Sequence, residues 1–367
     1  MKIPRILLII TLIAISLSSK AAMGQDLETR ITEIVKPLLE GKKNMSFAIS
    51  VYDVNSETPR YFYFGQVAKD NNALPNEYTV YEIGSITKVF TTTILTMLAR
   101  DGKLKIEDPV QNYMPAGVSI HNFTSNDPIK LLHLASQTSG LPRLPANLMT
   151  DPKTDPRNPY KNYGEAELSG FINNFILERE PGTKYIYSNL GMGLLGYLME
   201  KASGKTYEEL LKYYITDSLG MTMTSTNINA DMQKNLAKPY NEKGEPTLNW
   251  DFSVMAGAGA IKSNLSDMTK WLAFQMGKSD KMEFKEYLKM MQTRRFETDI
   301  PNTAIGMGWH ISESMWDRTI IWHNGGTGGY RSFMGFIPET NTGVVVLSNQ
   351  ANDVDGVAVE ILKYMNR

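Results

Sequence analysis

The chain of 367 residues contains no cysteine, which excludes disulfides, thiolate nucleophiles, thiolate metal ligands and lipid attachment through sulfur. Histidine is scarce, with only His121, His133, His310 and His323. There is no H-E-x-x-H helix and no G-x-S-x-G turn. A zinc-protease centre and a Ser-His-Asp triad of the elbow type therefore lack support, and no cofactor or metal is expected. No charge dominates either: 38 Lys+Arg stand against 39 Asp+Glu, so no nucleic-acid partner is expected. Repeats and low-complexity tracts are absent, and no apolar run reaches the roughly 20 residues that a bilayer-spanning helix needs.

What is present begins with an export pattern. Lys2 and Arg5 precede a twelve-residue apolar stretch from Ile6 to Leu17, and Ala22 and Gly24 occupy the −3 and −1 positions before Gln25. Residues 1–24 are read as a signal peptide, which predicts a periplasmic or secreted protein with no permanent membrane span once the signal is removed. The competing reading is an uncleaved N-terminal anchor. The remainder, 42% hydrophobic over the whole chain, is long enough for two domains or for one large domain carrying an inserted lobe.

Apolar spacing predicts a helix over 27–40, disturbed near Pro37, followed by a hairpin of two strands, "MSFAISVYDV" and "RYFYFGQVA", around a polar turn. From Ser85 to Ala99 the pattern is helical again and stops at Asp101-Gly102. Residues 105–240 read as mostly helical, with runs near 128–136, 165–178, 190–203 and 206–218. The stretch 151–164 has three prolines and no period, and reads as a loop. Four strand-like runs return late, "GMGWHIS", "RTIIWHN", "YRSFMGFIP" and "GVVVLSN", before a closing helix. The expected fold class is α/β of the α+β type: an antiparallel sheet built from both chain ends and flanked by helices. Residues 25–104 and 241–367 would form the sheet lobe, and 105–240 an inserted helical lobe.

Three stretches carry chemistry. In "YEIGSITKVF" Lys88 follows Ser85 by three residues, so on a helix the amine can approach the hydroxyl. Serine becomes a nucleophile when a neighbouring base takes its proton, and lysine serves only if its pKa is lowered. Moving a lysine from about 10.4 to near 7 costs about 4–5 kcal/mol, which a buried cleft can supply. The plainer reading is a capping serine and a solvated lysine. In "EPGTKYIYSNLGMG", Tyr187 and Asn189 flank the start of a helix; a phenol near a lysine can shuttle protons and an amide can orient a substrate carbonyl. Here too a helix cap and a packed ring are the ordinary alternative. In "WHNGGTGGYRSFMGF", His323-Asn324-Gly325-Gly326 ends one strand, where glycines let a substrate lie along the strand edge, or simply form a hairpin turn.

In this order, S-x-x-K, Y-x-N and H-x-G resemble the motifs of the serine β-lactamase and penicillin-binding protein superfamily, closest in look to class C β-lactamases, D-peptidases and related esterases. The resemblance extends over about residues 45–350 and includes "DGKLKIEDPVQNYMP", "LASQTSGLP", "LGMTMT" and "AGAGAIKSNLSDMTKWL". It implies that Ser85 is acylated, that Lys88 is its proton partner, and that Tyr187 relays protons to the leaving atom. It further implies that Asn189 holds Lys88 and the substrate amide, and that the Ser85 and Gly326 backbone N–H groups form the oxyanion hole beside Gly325.

His323 departs from the lysine of the usual K-T-G triplet. A lysine is a permanent cation, whereas histidine is mostly neutral at pH 7, which shifts weight toward D-peptidases and esterases. Arg331 is a possible replacement cation. The expected function is an exported serine hydrolase acting through an acyl-enzyme on a β-lactam, a D-amino-acid peptide or a short ester. Its partner would be a small-molecule or peptide substrate, cell-wall peptide among the candidates. The alternative is a penicillin-binding sensor or non-catalytic binding domain of the same fold. His121, His133 and His310 receive no role.

Overall fold

A computed structural model describes residues 26–367 apart from 43, 54, 55, 57, 122, 124–127, 279–283 and 315. The export pattern over 1–24 lies outside the described residues.

The framework is an eight-stranded antiparallel sheet. Its strands are β1 (Ser46–Asp53), β2 (Arg60–Gly65), β5 (Phe296–Glu297), β6 (Thr303–Ile305), β7 (His310–Glu313), β8 (Thr319–Gly326), β9 (Arg331–Ile337) and β10 (Thr342–Ser348), in the order β2-β1-β10-β9-β8-β7-β6-β5. The two chain ends meet one strand in from the β2 edge, where β1 pairs β10 from Phe47↔Ser348 to Asp53↔Thr342. A separate ribbon joins β3 (Val80–Glu82) to β4 (Lys262–Asn264).

Period-2 alternation sends the side chains of each central strand to opposite faces. Phe47, Ile49, Val344 and Val346 pack with Leu27, Ile31, Val357 and Ile361 of the two terminal helices. Ala48, Val345 and Leu347 face the larger core, which includes the helices Thr87–Arg100 and Leu265–Gln275. Both faces are therefore covered, which is why "GVVVLS" reads as a continuous apolar run rather than an alternating one.

The α+β class and the sheet drawn from both chain ends are as expected. The sequence pattern shows two early and four late strands; the structure adds β5 and β6, of two and three residues, too short to display a period. The helices Leu265–Gln275 and Lys285–Met291 also went unassigned. The helix expected over 128–136 is shorter, Leu131–Ala135.

Candidate active site

Ser85 lies in a single 3₁₀ turn, Gly84–Ile86, ahead of the helix Thr87–Arg100. Its side chain caps neither element, so the capping account of this serine does not hold. Residues 87–98 of that helix are all buried, Lys88 among them. Lys88 Nζ lies 2.9 Å from Ser85 Oγ and donates to the Ala258 carbonyl at 2.7 Å. Burial, with the Arg143 guanidinium adding to it, holds the Lys88 amine well below the ordinary lysine range. A lysine whose pKa is lowered gives up its proton more readily, and its amine can then serve as a base toward the hydroxyl beside it.

Glycines let strand β8 close on this turn. A Cβ on Gly325 would sit 2.0 Å from the Ile83 carbonyl oxygen, and one on Gly84, whose φ is +49°, would sit 2.6 Å from the Gly326 nitrogen. Ser332 Oγ donates to the Ile83 carbonyl at 2.8 Å and ties β9 to the same turn. Gly325 and Gly326 are thus strand residues paired with Ser332 and Arg331. The hairpin turn comes after them, where Thr327 N donates to the Tyr330 carbonyl.

Tyr187 and Asn189 arrive at the start of the helix Asn189–Ser203, whose cap is Ser188: its Oγ accepts from Gly191 N at 2.8 Å. Gln137 and Pro142 fix Ser188 from the other side. The Lys88 Nζ lies 4.9 Å from the Tyr187 ring centroid. Burial pushes the Tyr187 phenol up to about 12, against the downward pull of its contact with Ser85 and of Arg143, so it is a proton donor at neutral pH. Asn189 Nδ2 donates to Tyr160 Oη at 3.2 Å, and its Oδ1 is buried without a partner. The carbonyl hold on Lys88 therefore comes from Ala258 rather than from Asn189.

His323 is buried rather than open to the cleft, 1% exposed. Its Nδ1 donates to the Asn324 carbonyl at 2.6 Å, in the only role a ring nitrogen can take toward a carbonyl oxygen. Its ring stands 5.1 Å from that of His310 and 6.3 Å from that of Tyr187. Burial, then His310 and Lys88, keep its pKa well below the usual value. His310, given no role by sequence, lines the cleft and meets Tyr185 Oη at 3.2 Å. Burial, then Lys88, lowers its pKa to about 4. His133 Nδ1 accepts locally from the Lys130 amide, and His121 Nε2 meets the Asn173 carbonyl of a distant segment.

These groups open into a cleft of about 640 Å³. Sequence reasoning missed several residues along it: Arg143, Tyr160, Trp250, Asp299 and Asp355. Arg143 directly follows the "LASQTSGLP" stretch, a signal that was available. Tyr160 sits in the aperiodic loop, its ring stacked 4.6 Å from Phe252, and nothing local marks it. Asn324 faces the cleft and donates to Asp355 Oδ2 at 2.6 Å. Arg331 reaches the cleft as well, across Gly326.

The profile of the Beta-lactamase family matches residues 32–363. The chain belongs to that family. A D-alanyl-D-alanine-carboxypeptidase/endopeptidase, AmpH, of Escherichia coli (strain K12) is 29% identical over 319 residues, 84% of this chain and 80% of the relative. A beta-lactamase of Pseudomonas fluorescens is 24% identical over 355 residues, 89% of this chain and 94% of the relative. Among solved structures, a beta-lactamase/D-alanine carboxypeptidase from Yersinia pestis superposes with a TM-score of 0.77 at 28% identity, covering 92% of this chain and 99% of that one. A class C beta-lactamase, at 22% identity, shares the fold with a TM-score of 0.78. This family member is a serine hydrolase with the β-lactamase/transpeptidase-like fold. Among its described residues, no helix is long and apolar enough to cross a membrane.

Proposed function

We propose that the protein is exported and cleaves D-amino-acid peptides, or esters of similar shape, through an acyl-enzyme at Ser85. The observation that carries this reading is the 2.9 Å approach of a buried Lys88, its pKa lowered by burial, to Ser85 Oγ. Lys88 takes the Ser85 proton as Oγ attacks the substrate carbonyl. The oxyanion that forms is met by the backbone N–H groups of Ser85 and Gly326, which the glycine contacts bring close together. Collapse breaks the bond to the leaving atom, which takes a proton from Tyr187, and Lys88 returns its proton to the Tyr187 oxygen. Water then attacks the acyl group by the reverse relay and frees Ser85. In this reading Asn189, which lines the cleft, orients the substrate amide.

Export rests on the basic-apolar-small pattern of residues 1–24, and the division into a sheet lobe and an inserted helical lobe rests on the helical character of 105–240. The relative named as a D-alanyl-D-alanine-carboxypeptidase/endopeptidase and the neutral His323 both favour peptide or ester over β-lactam turnover. The test is incubation with a fluorescent penicillin followed by intact-mass measurement over time. A persistent adduct on Ser85, absent in Ser85→Ala, supports a penicillin-binding-type peptidase. A transient adduct with ring-opened product would instead indicate a β-lactamase, and no adduct with Ser85-dependent ester turnover an esterase. Turnover that survives Ser85→Ala would sink the acyl-enzyme reading.

A further inference from the structure

Two arginines line the cleft, and they are in different states. Arg331 is committed: Nη1 donates to the Thr327 and Tyr330 carbonyls at 2.9 and 3.0 Å, and Nη2 lies 3.4 Å from Glu242. Asp353 and Asp355 add further negative field around it. Arg143 is exposed, and among the described residues its side chain forms no hydrogen bond and no ion pair, Asp299 of the same cleft included. Its guanidinium lies over the Tyr187 ring, with Cζ 4.9 Å from the centroid.

The placement of Arg143 is built rather than incidental. Its carbonyl accepts from Asn189 N at 2.9 Å and Leu190 N at 3.3 Å. The helix start that carries Tyr187 and Asn189 therefore also fixes the backbone of Arg143. The ionisable groups that feel its charge are Lys88, Tyr160, Tyr185 and Tyr187, none of them a carboxylate, and Asp299 lines the same cleft without pairing to it. The Arg143 guanidinium thus faces the cleft as a cation with no ion-pair partner among the described residues.

We propose that Arg143 binds a carboxylate on the leaving-group side of the substrate, so that the enzyme selects leaving groups with the carboxylate one carbon from the leaving atom, as in an amino acid or a hydroxy or thio acid. The assignment rests on the acyl-enzyme reading above, in which Tyr187 protonates the leaving atom. A carboxylate one carbon from that atom falls beside the Tyr187 ring, within reach of a guanidinium lying over it. A planar two-pronged donor suits a carboxylate. His323, buried and uncharged, leaves that task to another residue.

The experiment uses two thioesters of one acyl-D-alanine, the first with thiolactic acid as leaving group and the second with its methyl ester. The ratio of kcat/KM for free acid over methyl ester is measured in the wild type, Arg143→Gln and Arg143→Lys. The wild type is expected to favour the free acid about tenfold or more. Arg143→Gln brings the ratio to near one, chiefly by raising KM for the free acid, and Arg143→Lys keeps part of the preference. A wild-type ratio near one, a ratio unchanged in Arg143→Gln, or equal loss with both esters overturns the assignment. Ser85→Ala should abolish turnover of both esters; turnover that persists there would count against the acyl-enzyme reading, whatever the Arg143 ratio does.

Discussion

Lys88 Nζ stands between two oxygens, Ser85 Oγ at 2.9 Å and the Ala258 carbonyl at 2.7 Å, on a helix turn with no exposed surface. The same burial that lowers the Lys88 pKa also works against the folded state. Between its lowered folded pKa and the ordinary 10.5, the unfolded chain holds a proton that the native chain does not, so stability rises with pH across that window. Lys88→Met should lower kcat by about 10²–10⁴-fold, yet melt at a higher temperature than the wild type at pH 7, with the gap narrowing toward pH 10. Thermal melts at the two pH values check this. A variant that is less stable at pH 7 and equally pH-dependent would show that Lys88 is not held neutral.

In the proposed reaction Tyr187 serves the other side, where a leaving atom needs a proton. With its phenol pushed up to about 12, it gives a proton rather than takes one at neutral pH. Tyr187→Phe should therefore slow amide cleavage, whose amine leaves poorly, by about 10²–10⁴-fold. Thioester cleavage, whose thiolate leaves without a proton, should slow far less. Parallel steady-state rates on an amide and a thioester of the same acyl group decide it, and equal losses would place Tyr187 in a role other than leaving-group protonation.

Much of this site was legible because its residues sit on short local patterns: S-x-x-K on a helical stretch, Y-x-N before a helix, H-N-G-G at a strand end. These motifs fix which atoms can meet, since a three-residue helical step and a strand edge have set geometry. Arg143, Tyr160 and Asp355 belong to loops or to the last helix, and reach the cleft through chain folding alone. Their placement depends on contacts between distant segments, Arg143 with Asn189, Tyr160 with Phe252 and Asp355 with Asn324, for which a single sequence has no periodic signal. The sheet divides in the same way: long strands showed their period, whereas Phe296–Glu297 and Thr303–Ile305 were too short to show one. Sequence also left the burial of His323 unread, because alternation alone does not say which side of a strand a later helix or strand will cover.

Gly325 shows how closely the nucleophile turn and strand β8 are fitted. A Cβ there would lie 2.0 Å from the Ile83 carbonyl oxygen and 2.4 Å from Ser332 Oγ, and a backbone oxygen cannot swing aside as a flexible side chain can. Gly325→Ala should cost about 2–4 kcal/mol of stability and most of the activity, because β8 must retreat from the turn that carries Ser85. Gly326→Ala would meet the Arg331 guanidinium at 3.0 Å, the far end of a long side chain, and should cost less. Chemical denaturation of the two variants tests the ordering, and a Gly326→Ala variant as unstable as Gly325→Ala would contradict it.

His310 and His323 make the protein sensitive to acid, and the sign follows from their burial. Burial lowers the His310 pKa to about 4 and that of His323 well below its usual value. Between about 6.5 and 4 the unfolded chain takes up protons at these rings that the native chain refuses, so stability falls as the pH drops through that window. Asp355 opposes them: burial, then Asp353, raises its carboxyl to about 6, so the native chain binds its proton first and gains stability as the pH drops from about 6 toward 4. For His310 alone the acid loss can reach about 3 kcal/mol, from a shift of roughly two and a half units. His310→Gln forfeits packing against Trp322, whose ring lies 4.7 Å away, and should melt lower at pH 7.5. Its melting temperature should nevertheless fall less than that of the wild type between pH 7.5 and pH 4.5. Parallel curves for the two proteins would mean that His310 is protonated as readily in the native state as in the unfolded one.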